Sequence, residues 1–206
     1  GDGQVSLPLP GDFNVENAAL VLTLLLEQGA DLETACAALS QVSAPPGRMQ
    51  RAASDGVATF IDYAHTPGAL QSALQALRAH CKGELWCVLG CGGERDAGKR
   101  PLMAGVAEEF ADRIVVTSDN PRNESPESII DEIVCGLREP QSATIIEDRA
   151  AAIAWAVGRA ATDDVVLIAG KGHETYQQIG DKKLPFSDFL VARAALGCNE
   201  SEASDD

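Results

Sequence analysis

Between residues 57 and 169 short apolar runs alternate with stretches in which apolar residues recur every three or four positions. The runs occupy 57–61, 85–89, 114–117, 143–146 and 165–169. Apolar runs this short and nearly unbroken predict strands buried on both faces. The periodic stretches 67–82, 100–111, 126–138 and 149–161 predict helices, with faces such as Leu70, Leu74, Leu77 and Ile129, Ile133, Leu137. A last amphipathic stretch covers about 186–197. Strands and helices in alternation predict an α/β fold: a doubly wound, mostly parallel sheet with helices on both faces.

The first 45 residues follow another pattern. Residues 1–12 are rich in Gly and Pro and read as a strand end or linker. Asn14 is placed to cap a helix with an apolar face of Val15, Ala18, Leu22 and Leu25 that ends at Gly29. Asp31 is placed to cap a second, with Leu32, Ala35, Cys36 and Leu39 at helical spacing. Nothing before these helices can cover their apolar surface, so they are expected to pack onto the following domain or to belong to a larger one. Ala44-Pro45-Pro46-Gly47-Arg48 then marks a linker.

Composition narrows the function classes. A chain that is 45% apolar and 23% charged can build a core. Its net charge of −15 argues against a general nucleic-acid or anionic-membrane binder, since both need a basic surface. The longest apolar run, 18–26, is too short to span a bilayer, and no signal peptide opens the sequence. Six cysteines show no C-x-x-C pair and read as reduced, mostly buried thiols of a cytoplasmic protein.

In a doubly wound sheet, ligands bind beyond the carboxyl ends of the strands. Four of the five predicted strands end there in polar or glycine-rich clusters; Glu147-Asp148-Arg149, after the fourth, reads as an ordinary helix start. Gly93-x-x-x-x-Gly98-Lys99 nearly fits a phosphate-binding loop, but Arg100 stands where a Mg²⁺-holding Ser or Thr is needed. The turn can instead receive a smaller anion, such as a carboxylate, on its amides and Arg95, or be merely structural. In Asp119-Asn120-Pro121-Arg122, an ammonium acceptor and a planar carboxylate fork lie three residues apart, suited to a zwitterionic amino-acid head group. The competing reading is a helix entry capped by Ser125 before Pro126. Gly170-Lys171-Gly172-His173-Glu174 offers close backbone approach and a second acid, or is a flexible turn. Asp62 and His65 suit metal or ribose binding, or a capping turn before Thr66-Pro67.

Gly11-Asp12-Phe13-Asn14-Val15-Glu16-Asn17, Pro46-Gly47-Arg48-Met49, Asp62-Tyr63-Ala64-His65-Thr66-Pro67, Gly90-Cys91-Gly92-Gly93-Glu94-Arg95-Asp96, Lys99-Arg100-Pro101, Asp119-Asn120-Pro121-Arg122 and Gly170-Lys171-Gly172-His173-Glu174 occur in that order. Over about residues 11–197 the chain resembles the C-terminal part of the MurE-type Mur ligases. Such enzymes use ATP to phosphorylate a D-Glu carboxyl of UDP-MurNAc-L-Ala-D-Glu, and an amine of meso-diaminopimelate then attacks the acyl phosphate in peptidoglycan precursor synthesis. The resemblance implies that Arg95, Asp119, Asn120, Pro121, Arg122, Gly170 and Glu174 hold meso-diaminopimelate, and that Asn17, Arg48 and Asp62 lie near the base and ribose of ATP. Lysine-adding relatives differ in the Asp-Asn-Pro-Arg segment, and an arginine there suits the extra carboxylate that lysine lacks. Glu94 stands where the family usually has Asp.

The family's phosphate-binding loop, Mg²⁺ ligands, carbamylated lysine and UDP-sugar-binding domain have no counterpart in the sequence. The resemblance therefore implies that 1–45 end a central ATP-binding domain, that 46–199 form the C-terminal amino-acid-binding domain, and that 200–206 are a disordered acidic tail. The expectation is a cytoplasmic monomer with small-molecule substrates, inactive in ligation alone, with no catalytic residue or metal ligand of its own. The alternative is a free-standing amino-acid-binding module; a small-molecule kinase is disfavoured by Arg100.

Overall fold

The computed structural model describes residues 3–53 and 55–198; the predicted tail at 200–206 lies outside them. The elements run α1 (Asp12–Glu27), α2 (Leu32–Leu39), β1 (Gln50–Arg51), β2 (Ala58–Asp62), α3 (Pro67–Arg78), β3 (Leu85–Leu89), α4 (Lys99–Phe110), β4 (Arg113–Val116), α5 (Pro126–Val134), β5 (Thr144–Ile145), α6 (Arg149–Arg159), β6 (Val165–Ala169), β7 (Tyr176–Ile179), β8 (Lys182–Pro185) and α7 (Asp188–Ala195).

Six strands form one sheet in the order β1-β2-β6-β3-β4-β5, parallel except for β1, which runs antiparallel to β2 at the edge. The chain steps from β2 through β3 and β4 to β5, then returns to insert β6 between β2 and β3. Right-handed crossovers in the outward direction put α3, α4 and α5 on one face, and the return puts α6 on the other. Two cores follow from this. Leu85, Cys87 and Leu89 pack with Leu70, Leu74, Met103 and Ile133 on one face, while Trp86 and Val88 pack with Ile153, Ala156 and Ala192 on the other. Every residue of β3 and β6 is buried, as the unbroken apolar runs predict. The doubly wound, mostly parallel reading matches this architecture.

Local signals hold at most helix starts. Asp31 Oδ1 accepts from the Thr34 amide, Thr66 Oγ1 from Ala69 and Asp148 Oδ1 from Ala151. Ser125 occupies the cap position of α5 without a side-chain cap bond. Asn14 is not a cap: α1 starts two residues earlier, behind Gly11, and Asn14 Nδ2 donates back to the Pro10 carbonyl at 2.7 Å. The glycine stop does hold: α1 ends at Glu27 with Gln28 as its C-cap and Gly29 just beyond at φ +90°.

α1 is apolar nearly all round and α3 on one face, and their fates differ. α3 buries Leu70, Ala73, Leu74 and Leu77, each leucine worth about 1.5–3 kcal/mol of transfer free energy. α1 buries none of its side chains and exposes Val15, Leu20, Val21 and Leu24.

Candidate functional site

The carboxyl ends of β2, β3, β4 and β6 carry four loops that meet at one end of the sheet. In the loop after β4, Asp119, Asn120 and Pro121 are buried and Arg122 is half-buried. A hairpin that sequence reasoning missed, β7–β8, holds this loop. Gln177 Nε2 donates to the Asp119 carbonyl at 2.7 Å and the Gln178 amide to Asn120 Oδ1 at 2.8 Å. The Arg122 amide donates to the Gln178 carbonyl, and the Gly180 amide to the Arg122 carbonyl at 2.7 Å. The hairpin is signalled in sequence by Gly180-Asp181 between two polar-apolar runs, a favoured two-residue turn.

Beside it, after β6, Lys171 is fully buried. Its Nζ donates to Asn120 Oδ1 at 3.0 Å and to Glu174 Oε2 at 2.8 Å, and Asn120 Nδ2 donates to the same oxygen at 2.7 Å. Burial pushes the Glu174 carboxyl up, but the bonds from Lys171 and Asn120, helped by the nearby Arg122 charge, hold it below its ordinary value of 4.5. Glu174 is thus a fixed carboxylate, and the Asn120 side chain is engaged largely in fixing it. Asp119 differs. The residue is 8% exposed, and its carboxylate accepts no hydrogen bond among the described residues. Its Oδ2 lies 2.7 Å from where a Cβ on Gly170 would stand, and Gly170 has φ +118°, so only glycine serves there. A carboxylate with no donor on it is an acceptor open to a cation.

The turn after β3 completes the site. Arg122 Nη1 donates to the Gly93 carbonyl at 2.6 Å, and a Cβ added to Gly92 would lie 2.9 Å from that Nη1 and 3.6 Å from Arg95 Cγ. The two arginines therefore stand against the same glycine; Arg95 is exposed. The phosphate-loop alternative fails on geometry. Lys99 Nζ donates to the His65 carbonyl at 2.8 Å, and Arg100, 1% exposed, faces inward onto Glu124 and Glu132 at 2.8 Å each. Cys91 in this turn is a buried thiol raised by burial to about 11, and Cys87 below it is raised to about 12. All six cysteines are free.

Three non-glycine residues among those described have positive φ: Met49 at 48°, Glu94 at 54° and Arg122 at 53°. Glu94 and Arg122 lie in these loops and Met49 just before β1, each a conformation costing about 1–2 kcal/mol. Each amide is held from across the site: Met49 by Asp62 Oδ2 at 2.8 Å, Glu94 by Glu124 Oε1, and Arg122 by Gln178.

Arg48, Asp62 and their neighbours form a second patch. The Arg48 guanidinium sits 4.9 Å from the Tyr63 ring centroid, and the His65 and His173 rings lie 4.5 and 5.4 Å from it. Burial pushes the Asp62 carboxyl up against the pull of the Met49 and Ala64 amides. The patch joins the loop after β6 through Gly47, whose φ is +66° and whose Cβ would lie 2.1 Å from the His173 amide nitrogen. Asn17, exposed on α1, is not brought to Arg48 or Asp62 by any hydrogen bond or ion pair among the described residues. Neither do the described His, Cys, Asp and Glu residues gather in threes fit to hold a metal ion.

Glu147-Asp148-Arg149 is a helix start, as expected, with Asp148 as the cap of α6. Arg149 does more than start the helix: its side chain is fully buried and forms a bidentate pair with Asp188 at 2.8 Å. Its only sequence signal is its place just after a strand.

Comparison with known proteins accords with this geometry. The sequence profile of the Mur ligase, glutamate ligase domain matches residues 47–172. The chain is 52% identical over 193 residues to UDP-N-acetylmuramoyl-L-alanyl-D-glutamate–2,6-diaminopimelate ligase of Haemophilus influenzae, covering 93% of this chain and 40% of that protein. A solved structure of a ligase of that name superposes with a TM-score of 0.77 at 41% identity, covering 96% of this chain and 41% of the other. UDP-N-acetylmuramate-alanine ligase from Thermotoga maritima shares the fold, with a TM-score of 0.67 at 20% identity over 99% of this chain and 41% of its own. The chain thus spans about two fifths of the length of these relatives. Profile, identity and fold agree: the chain belongs to the Mur ligase family and carries its C-terminal domain.

Proposed function

We propose that the carboxyl-end site binds meso-diaminopimelate as the incoming amino acid of a peptidoglycan-precursor ligase. The observation that carries this reading is Asp119, a residue 8% exposed whose carboxylate has no hydrogen-bonding partner among the described residues, in a loop that also presents the Arg122 fork. Asp119 and Glu174 receive an ammonium, and Arg122 with Arg95 receives a carboxylate. Asn120 and Pro121 shape the loop, and Gly170 lets the ligand and Asp119 approach. This matches the name of the 52% identical relative.

The whole reaction, ADP-forming amide ligation to UDP-MurNAc-L-Ala-D-Glu in the cytoplasm, belongs in this reading to a longer assembly. Residues 1–45 are the end of its central ATP-binding domain and 46–199 its amino-acid-binding domain, the whole acting as a monomer. The exposed apolar face of α1 supports an origin in a larger unit. ATP, when bound, supplies the phosphoryl group that activates the acceptor carboxylate. The Tyr63 patch fits its nucleoside: an aromatic face with a cation beside it can stack on a base. Asp62 has lone pairs beyond the one bracing Met49 for a ribose hydroxyl. Asn17 is assigned to the same group by resemblance alone. The described residues do not fit Mg²⁺, whose ligands this reading puts outside them.

Calorimetric titration tests the proposal. The 206-residue chain should bind meso-diaminopimelate and take L-lysine more weakly, since lysine leaves the arginines without a carboxylate. Equal affinity for both, or binding of neither, would overturn it. The chain alone should yield no ADP or tripeptide product when given all substrates and Mg²⁺; stoichiometric product would contradict the assignment of activation chemistry to other residues.

A further inference from the structure

β4 and β6 carry the two halves of the ammonium site, yet they are not neighbours. β3 lies between them, so no ladder hydrogen bond sets the spacing of their exits. Arg149 spans this gap. Its Nη1 donates to the Ser118 carbonyl at 3.4 Å and its Nη2 to the Ala169 carbonyl at 2.9 Å. The next residues are Asp119 and Gly170, the pair that approach one another across the end of β3.

The guanidinium is itself aimed by Asp188, the first residue of α7, which takes Nε and Nη2 on its two carboxylate oxygens at 2.8 Å each. Both side chains are fully buried. Burial opposes the Arg149 charge, but Asp188 outweighs it, with Asp119 and Glu174 adding their pull, so the group stays cationic above its ordinary range. A planar fork with all its donors in one plane can bridge two carbonyls and a carboxylate at once; a lysine ammonium cannot hold the same span.

We propose that Arg149 is a positioning residue for the amino-acid site: with Asp188 it fixes the separation of Asp119 from the Gly170–Glu174 loop and so couples α7 to ligand affinity. This rests on the amino-acid-site reading for its effect on affinity, and on the geometry alone for its effect on the loops.

The test must separate positioning from mere stabilisation. Replacing a buried ion pair as a unit by apolar residues of similar volume is often neutral for folding, so the main variant is Arg149→Met with Asp188→Leu. Arg149→Lys, which keeps a charge opposite Asp188, is the second. Amide hydrogen exchange in the 206-residue chain should quicken by about tenfold or more at 118–122 and 170–174, while β3 keeps its protection. The affinity for meso-diaminopimelate should fall by about tenfold or more in the same folded samples. Unchanged exchange at the two loops, or a uniform rise across the sheet, would overturn the proposal. Wild-type affinity intact in a folded variant with loosened loops would overturn the coupling to binding. Failure of the wild-type chain to bind meso-diaminopimelate would count against the proposed function only, because the exchange comparison decides the positioning claim by itself.

Discussion

The ion pairs at the two ends of the sheet differ in burial. At the amino end, Arg78–Asp112, Arg113–Glu84 and Arg138–Glu108 pair with at least one partner in solvent. At the carboxyl end, Arg100, Arg149 and Lys171 are sunk almost completely, and each binds a carboxylate together with a loop carbonyl or amide. Exposed pairs contribute little to stability, and buried pairs give no great net gain over an apolar core. Buried pairs therefore earn their place by what they hold. Here they hold the loops around Asp119, Arg122 and Glu174 in backbone conformations that cost energy, and they leave one carboxylate without a partner.

That contrast can be broken from its strongest point downward. Asp188→Ala strands the buried Arg149 charge and should cost about 3–5 kcal/mol, which for a chain of this size lowers the melting midpoint by roughly 6–20 °C. A thermal scan showing a shift of under about 2 °C would contradict the buried pair. Asp119→Asn should do the reverse of a structural lesion. It removes a carboxylate that accepts no hydrogen bond but feels the nearby Arg149 charge, so stability should change little. Affinity for meso-diaminopimelate should fall about 10–100-fold, the value of one charge-assisted bond. Equal losses of stability and affinity would recast Asp119 as a structural residue.

Smaller effects follow from the acids. Glu174 titrates below its ordinary value of 4.5 in the folded chain. Its carboxylate therefore stabilises the fold fully above pH 4.5, and this contribution is lost as pH falls through the lower folded value. In denaturant unfolding, the gap between wild type and Glu174→Gln should be level above about pH 5.5 and shrink below pH 4.5. A gap that widens in acid would mean the sign is wrong. At the other end, Arg113→Ala should move the midpoint by no more than about 1–2 °C, and 1 M salt should mimic it; a large shift would erase the distinction between the two ends.

The sheet was legible because its strands are buried on both faces, which leaves no choice of polar side and makes 85–89 and 165–169 readable to the residue. β1 escaped notice because two residues at an edge carry no period. The site loops were legible as clusters of glycine and charge after strands. What binds what was not. Lys171 in a Gly-Lys-Gly turn looks like a surface cation until the fold brings Asn120, distant in sequence, against it. Arg149 follows Asp148, a good cap, so the local pattern accounts for the helix start and hides the pairing with Asp188. Both depend on long-range packing that burial of apolar residues sets in place, and no local spacing encodes it.

The central claim is that the Arg122 fork at the carboxyl end reads a carboxylate that distinguishes the incoming amino acid. Its most direct test is the pair of dissociation constants for meso-diaminopimelate and L-lysine, measured on wild type and Arg122→Ala. Loss of the fork should weaken meso-diaminopimelate by about 10–100-fold while lysine, anchored by its ammonium on Asp119 and Glu174, changes little, so the ratio between them narrows. If both affinities fall together and the ratio stays fixed, Arg122 only shapes its loop through the Gly93 carbonyl, and discrimination arises elsewhere.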